Sequence, residues 1–161
     1  MVSSACDRRI KIVLAMVGLA LVATTALPVN AARAASTSVS GIIASSTTWT
    51  RAGSPYVVTG TVQIAHGATL TVEPGVVVES SSGSIQVFGG LNAAGTSLDK
   101  VTFNSVAIEP AATTPSQPCR IELRYCVLNG GTLYAPNGDP AYGGLVLTDS
   151  RIEYPTSYCY I

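Results

Sequence analysis

Downstream of residue 34 the sequence predicts an all-β chain that winds as a coil, and three observations support this. Short β-branched or aromatic runs begin at Pro55 and alternate with Gly, Pro, Asn or Ser, as strands alternate with turns. No window of a dozen residues in this part shows the apolar stripe of a helix. The third observation is the corner inside LTVEPGVVV, which is unsuited to a tight hairpin.

Six runs are the clearest predicted strands, because each alternates apolar and polar residues or is rich in Val and Ile. They are YVV (56–58), VQI (62–64), LTV (70–72), VVV (76–78), IQVF (85–88) and VTF (101–103).

The corner Glu73-Pro74-Gly75 separates two of these strands. The common two-residue hairpin turns, types I′ and II′, require a positive φ where Pro fixes a negative one, so this pair suits a type II bend. The flanking strands are therefore expected not to pair with each other. Glu73 is expected to face solvent and to have only a solubilising role at this turn.

Self-similarity also indicates a coil. The segment IELRYCVLNG (121–130) aligns with LVLTDSRIEY (145–154) and places Leu123 over Leu147, with both side chains expected to point inward. Upstream, Leu70, Ile85 and Val101 begin comparable runs at shorter and slightly unequal shifts. Unequal shifts are expected of coils whose loops vary in length at fixed corners.

Several segments resemble the opening coils of pectin-lyase-like secreted bacterial surface proteins. They are VTGTVQIAHGATLTVEPGVVVE, SIQVFGGLNAAGT, KVTFNS, LRYCVLNGG and GGLVLTDSRIEY. The resemblance implies an all-β fold, a right-handed single-stranded parallel β-helix over residues 54–161, with coils stacked at about 4.8 Å. Trp49 is then expected to help plug the first open end. A β-sandwich binding domain is the alternative that the Pro74-Gly75 corner and the register of Leu123 on Leu147 disfavour.

The segment 1–34 is typical of a signal peptide, because basic residues precede an apolar run from Ile12 to Val29 and small residues follow it. Cleavage near Ala34 predicts a secreted, extracellular or cell-surface protein with no integral membrane span. Residues 35–53 are predicted to be a lead-in that caps the first coil. The sequence ends at SYCYI within a β-rich coil, which predicts either an incomplete helix of N-terminal coils or a last coil that docks a partner or associates with itself.

The charges give no electrostatic case for nucleic acid, because nine basic residues balance nine acidic ones. Three Cys remain after cleavage, namely Cys119, Cys126 and Cys159. Export would permit one disulfide among them, and small buried apolar residues are the equal alternative.

Catalytic residues are not evident in the sequence. The single His, His66, lies at a predicted corner without a Ser or Cys nucleophile and is expected to be an exposed turn residue. In lyases of the resembled group, clustered acids hold Ca²⁺ and an Arg or Lys is the base; the candidates here are Asp139, Asp149 and Glu153 with Arg124 and Arg151. The predicted register stacks no carboxylate on another, so no cofactor is expected and Ca²⁺ is the weak alternative.

Tyrosines are concentrated in the last third of the chain. The predicted ligand-contacting residues are Tyr125, Tyr134, Tyr142 and Tyr154. A Tyr ring offers apolar area and a hydroxyl together, which suits stacking on sugars of a polysaccharide or cell-surface component, while partly buried edge residues are the alternative. The predicted function is a non-catalytic scaffold or adhesion module. The rival is the N-terminal part of a polysaccharide lyase or hydrolase whose active site lies in later coils.

Overall fold

A computed structural model of the protein describes residues 35–111, 114–134 and 143–153, all within one compact unit, Ala32–Ile161. This part contains fourteen strands and one short 3₁₀ turn, Arg51–Gly53. Within these residues every strand pairing is parallel, and no strand pairs with the next one in sequence. The chain is therefore a parallel β-helix of about four coils, which confirms the predicted fold class and excludes the sandwich.

Each coil contributes strands to three faces. Face 1 contains β5 (Val77–Ser80), β8 (Val101–Asn104), β11 (Cys126–Asn129) and β14 (Arg151–Glu153). Face 2 contains β6 (Ser84–Val87), β9 (Ala107–Pro110) and β12 (Thr132–Leu133). Face 3 contains β2 (Thr47–Trp49), β4 (Thr69–Val72), β7 (Gly90–Ala94), β10 (Cys119–Arg124) and β13 (Gly143–Thr148).

Two long strands run through both face 1 and face 2. They are β1 (Thr37–Ile43) and β3 (Tyr56–Ile64). The first part of β3 pairs with β5 and its last part with β6, so faces 1 and 2 form one continuous sheet, whereas face 3 is a separate sheet. The segment predicted as a lead-in supplies β1 and β2, which pair with β3 and β4.

The corner at Glu73-Pro74-Gly75 joins face 3 to face 1, as its Pro predicted. The amide of Val76 donates to the carbonyl of Glu73 at 3.3 Å, and Gly75 has a φ of +75°, which is the type II geometry. The expectation that Glu73 has only a solubilising role was wrong. Its side chain is half-buried, and a carboxylate oxygen accepts the backbone N–H of Arg51 at 3.2 Å, so it ties the 3₁₀ turn of one coil to the corner of the next.

The predicted register between the last two described coils is confirmed, because Leu123 pairs with Leu147 and Leu128 with Ile152. The shorter shifts upstream are wrong as a stacking register. Leu70 lies on face 3 and pairs with Leu91, whereas Ile85 lies on face 2 and pairs with Ile108. Those shifts relate strands on different faces and not strands that stack on each other. They resemble a repeat because every face of a coil contains a similar short apolar strand.

Columns of inward side chains form the core. On face 3 one column runs Trp49, Val72, Ala93, Leu123, Leu147. Trp49 is 4% exposed in the first coil, where its ring stacks on Tyr56 with centroids 4.7 Å apart. Both side chains belong to this inward column as expected, but Leu123 is 1% exposed whereas Leu147 is 36% exposed.

The described cysteines, Cys119 and Cys126, are buried free thiols among the core side chains. Burial raises the pKa of the Cys126 thiol to about 11, because an apolar surrounding disfavours the thiolate. The thiol lies 3.4 Å from the carbonyl of Ala93, to which it donates. Cys159 lies outside the described residues, as does the predicted signal peptide.

Candidate functional site

Outward polar side chains on face 2 bond to one another along the stack. The amide of Gln63 donates to Gln86 at 3.1 Å, and the amide of Gln86 donates to the carboxylate of Glu109 at 3.4 Å. Neighbouring coils are close enough for such contacts because stacked strands are about 4.8 Å apart. These groups satisfy one another and are therefore structural.

Face 1 has a second ladder of the same kind. Asn104 donates to the carboxylate of Glu79 at 3.3 Å, and Asn129 donates to Asn104 at 3.0 Å. Glu153 follows in the same column and forms an ion pair with Arg151. The side-chain amide oxygen of Asn129 is buried without a hydrogen-bond partner among the described residues, so this ladder is incomplete at its last step.

Face 3 differs, because most of its outward polar side chains have no such partner. In the described part of the chain, the side chains of Asn92 and Arg124 have no hydrogen bond or ion pair, and the Thr69 hydroxyl has none either. The one side-chain pair on this face joins Arg120 to Glu122, with the Arg120 Nε donating at 2.8 Å. Face 3 therefore offers hydrogen-bonding groups that the fold itself does not use.

Two adjoining clefts lie on face 3, with volumes of about 320 and 300 Å³. Asn92 and Glu122 line both. The first cleft extends to Thr69 of β4, and the second extends to Thr148 of β13, so together they cross the face. We call this pair of clefts the face 3 groove.

The groove arises from a difference in size between adjacent strands. The outward positions of β7 carry Gly90, Asn92 and Ala94, whereas those of β10 carry three long side chains, Arg120, Glu122 and Arg124. The small residues leave space beside the long ones. Gly90 keeps the first cleft open, because a Cβ there would meet the Thr69 hydroxyl oxygen at 2.8 Å.

The charge along the groove is uneven. Glu122 is neutralised by Arg120, while Arg124 at the far end is exposed and has no acidic partner among the described residues. The groove therefore combines one amide, one paired carboxylate and one unpaired guanidinium. Such groups donate and accept hydrogen bonds, and the described lining of the groove contains no nucleophile with an adjacent base.

The predicted tyrosines do not form one row where the structure describes them. Tyr125 is half-buried at the corner between faces 3 and 1, directly after Arg124. Tyr134 is exposed and follows β12, so it lies after face 2. Tyr142 and Tyr154 lie outside the described residues. Ligand contact by these four residues stays a prediction.

The other candidates are dispersed. His66 is exposed in a turn, with its ring edge-to-face against Phe88 at 5.5 Å between centroids. Asp149 is exposed at the corner that Tyr125 occupies one coil earlier, and Asp139 lies outside the described residues. In residues 35–111, 114–134 and 143–153 there is no group of three His, Cys, Asp or Glu residues suited to holding a metal ion.

Sequence reasoning missed the groove residues Asn92, Arg120 and Glu122. The signal was present as the alternation G-x-N-x-A in β7 and R-x-E-x-R in β10. Recognising it requires knowing that these two strands are neighbours, and β10 follows its partner β7 at a greater distance in sequence than β7 follows its partner β4.

No family model, no curated protein and no solved structure matches the chain. In the described residues no helix is long and apolar enough to span a membrane.

Proposed function

We propose that the protein is a non-catalytic β-helix scaffold or adhesion module, secreted or held at the cell surface, and that the face 3 groove binds polysaccharide. One observation carries this proposal. The outward amides and carboxylates of faces 1 and 2 form ladders of hydrogen bonds, whereas Asn92 and Arg124 in the groove have no described partner. Groups of this kind are available to a ligand without loss of an existing hydrogen bond.

The shape of the groove favours an extended polymer. It crosses several coils and is open along its length, unlike an enclosed pocket for a small molecule. Sugar hydroxyls both donate and accept, which matches the amide of Asn92, the carboxylate of Glu122 and the hydroxyl of Thr69. Tyr125 stands beside Arg124 at the edge of the face and is a candidate for stacking on a sugar ring.

Binding is tested by affinity electrophoresis of the chain in gels that contain neutral or acidic polysaccharides. We expect retardation in at least one polymer and its loss in an Asn92→Ala plus Arg124→Gln double variant. Lys100→Gln is the charge-matched control, because Lys100 is exposed at a corner outside the groove. Equal retardation of all three proteins would contradict a role for the groove.

Catalysis is tested on the same polymers by measuring their chain length after incubation, with and without Ca²⁺. We expect no change. Shortened polymers would overturn the non-catalytic proposal and favour the polysaccharide lyase or hydrolase.

A further inference from the structure

The face 3 groove has an acidic part and a basic part, and both lie on β10. Glu122 and Arg124 point outward from this strand two residues apart, so their Cα atoms are about 7 Å apart. Their side chains therefore meet different parts of an extended ligand. The order of charge along β10 then decides which chemical groups a ligand can place at each part.

The acidic part holds an acceptor that the fold leaves free. The Nε and Nη2 atoms of Arg120 both donate to the same oxygen of the Glu122 carboxylate, Oε1. The other oxygen, Oε2, has no hydrogen-bond partner among the described residues. It can accept the hydroxyl of a neutral sugar, but it would repel an anionic group.

The basic part has no carboxylate of its own. Arg124 is exposed and forms no ion pair with a described residue, and its neighbours on the adjoining strands are Ala94 and Thr148. A guanidinium presents its N–H donors in a planar fork that matches the two oxygens of a carboxylate. Arg124 can therefore hold one anionic group without giving up an existing contact.

The remaining lining of the groove is uncharged. Besides the three charged side chains of β10, the described lining consists of Gly, Ala, Thr, Asn, Leu, Pro and Val residues. Residues 35–161 as a whole contain five Lys or Arg against eight Asp or Glu. The groove thus offers one free cation within a mildly acidic part of the chain, which does not favour a densely charged polyanion.

We propose that the groove selects a polysaccharide in which an acidic sugar stands isolated between neutral sugars, with the acidic sugar at Arg124. The inference rests on the proposed polysaccharide binding and deepens it. A neutral sugar lies beside Glu122, where Oε2 accepts its hydroxyl. A polymer with a carboxylate on every sugar gains the contact with Arg124 but places another carboxylate beside Glu122. A neutral polymer leaves Arg124 without an anion.

The selection is measured by affinity electrophoresis in gels whose polymers differ only in charge density. Polygalacturonate and polyglucuronate are each used unreduced, with most carboxyl groups reduced to alcohols, and with all of them reduced. We expect the tightest binding to a mostly reduced polymer, with a dissociation constant about tenfold below those of its other two forms.

Equal or tighter binding of the fully reduced or the unreduced form would overturn the selection and leave polysaccharide binding in place. Absence of retardation in all of these gels would overturn it too. Polysaccharide binding itself fails only if the wider panel of polymers described above also gives no retardation.

Two variants test the position of each charge. Arg124→Gln should remove the preference, so that the mostly and the fully reduced polymers bind equally. Glu122→Gln removes the repelling carboxylate and leaves Arg120 without an anionic partner, so it should shift the preference to the unreduced polymer. An Arg124→Gln variant that kept the parent's order of polymers would contradict the site at Arg124.

Each variant has a control with the same change outside the groove. Lys100→Gln removes one basic group at a corner, and Glu109→Gln removes one carboxylate on face 2 while keeping an oxygen that accepts from Gln86. Both controls should keep the parent's order of polymers. A shift in Glu109→Gln as large as that in Glu122→Gln would show that net charge alone sets the preference and would overturn the role of Glu122.

Discussion

Face 2 and face 3 are built from the same coils, yet their outward polar side chains behave differently. On face 2, Gln63, Gln86 and Glu109 form an unbroken row of hydrogen bonds. On face 3, Asn92 lies between Thr71 and Glu122 in the same kind of column but bonds to neither. The regular spacing of the stack is common to both faces, so the difference comes from the side chains, since Glu122 beside Asn92 is paired with Arg120 on its own strand.

The difference separates polar side chains that stabilise the stack from polar side chains that are free to bind a ligand. Amides of equal length on successive coils meet and satisfy one another, and such a row stabilises the stack. On face 3 the Glu122 carboxylate beside Asn92 is paired with Arg120 instead, and this column becomes a groove with free polar groups. In a β-helix, the surface to examine for binding is the face where the ladders are interrupted.

The largest expected effect concerns the interior that both faces share. Leu123→Asp places a charge beneath face 3 at a fully buried position, and an unpaired buried charge costs several kcal/mol, so we expect a loss of at least about 4 kcal/mol or failure to fold. Leu147→Asp should cost about 1 kcal/mol or less because that side chain reaches solvent. Urea denaturation measures both. Similar losses for the two variants would mean that the last coil is covered.

A smaller change in stability is expected when the pH is raised, because the Cys126 thiol is buried behind face 1. Burial holds its pKa near 11, so the folded thiol stays protonated where the unfolded one ionises. The contribution to stability is complete below pH 9 and is lost as the pH rises toward 11, by about 2 kcal/mol. Urea denaturation at pH 8 and pH 10.5 should show this loss, and Cys126→Ala should reduce it. An unchanged pH dependence in Cys126→Ala would exclude this thiol as the cause.

The difference between faces 2 and 3 is tested directly by one truncation on each. Gln86→Ala removes two ladder hydrogen bonds and should lower the free energy of unfolding by about 1 to 2 kcal/mol. Asn92→Ala removes none to a described residue and should change it by less than about 0.5 kcal/mol. Thermal unfolding measures both. If Asn92→Ala cost as much as Gln86→Ala, the groove amide would be structural and the distinction between the faces would fail.

The fold could be predicted because its determinants are local. Pro74-Gly75 excludes a hairpin through the φ that Pro imposes, and the repeat of Leu123 at Leu147 sets one register directly. The false register through Leu70 and Ile85 has a physical cause as well. Strands on different faces of one coil bury similar side chains, so apolar periodicity alone does not distinguish a step around the coil from a step along it.

The candidate site could not be predicted in the same way. Asn92 and Glu122 become neighbours only through the pairing of β7 with β10, which the sequence does not reveal because this step along the stack spans more residues than the step before it. Glu73 was misjudged for a related reason, since its partner is the backbone N–H of Arg51 in another coil. A backbone donor is present at every residue except Pro, so composition carries no sign of which one a carboxylate will meet.

The smallest expected effect lies at the corner that links face 3 to face 1. Gly75, Tyr125 and Asp149 occupy equivalent positions there, each with positive φ, and Tyr is the one for which the left-handed conformation is costly. We expect Tyr125→Asn to raise the free energy of unfolding by about 0.5 kcal/mol, because Asn tolerates this conformation and the Tyr ring is only half-buried. Asp149→Asn is the matched control and should leave stability unchanged.

Polysaccharide binding by the Tyr125→Asn variant tests whether Tyr125 keeps its unfavourable backbone conformation because it contacts a ligand. Residues held in unfavourable conformations are often kept for their function. A variant that is more stable but bound less tightly in affinity electrophoresis would support Tyr125 as a ligand contact beside Arg124. Unchanged binding would remove Tyr125 from the predicted contacts, and a loss of stability would show that the packing of its ring outweighs the backbone cost.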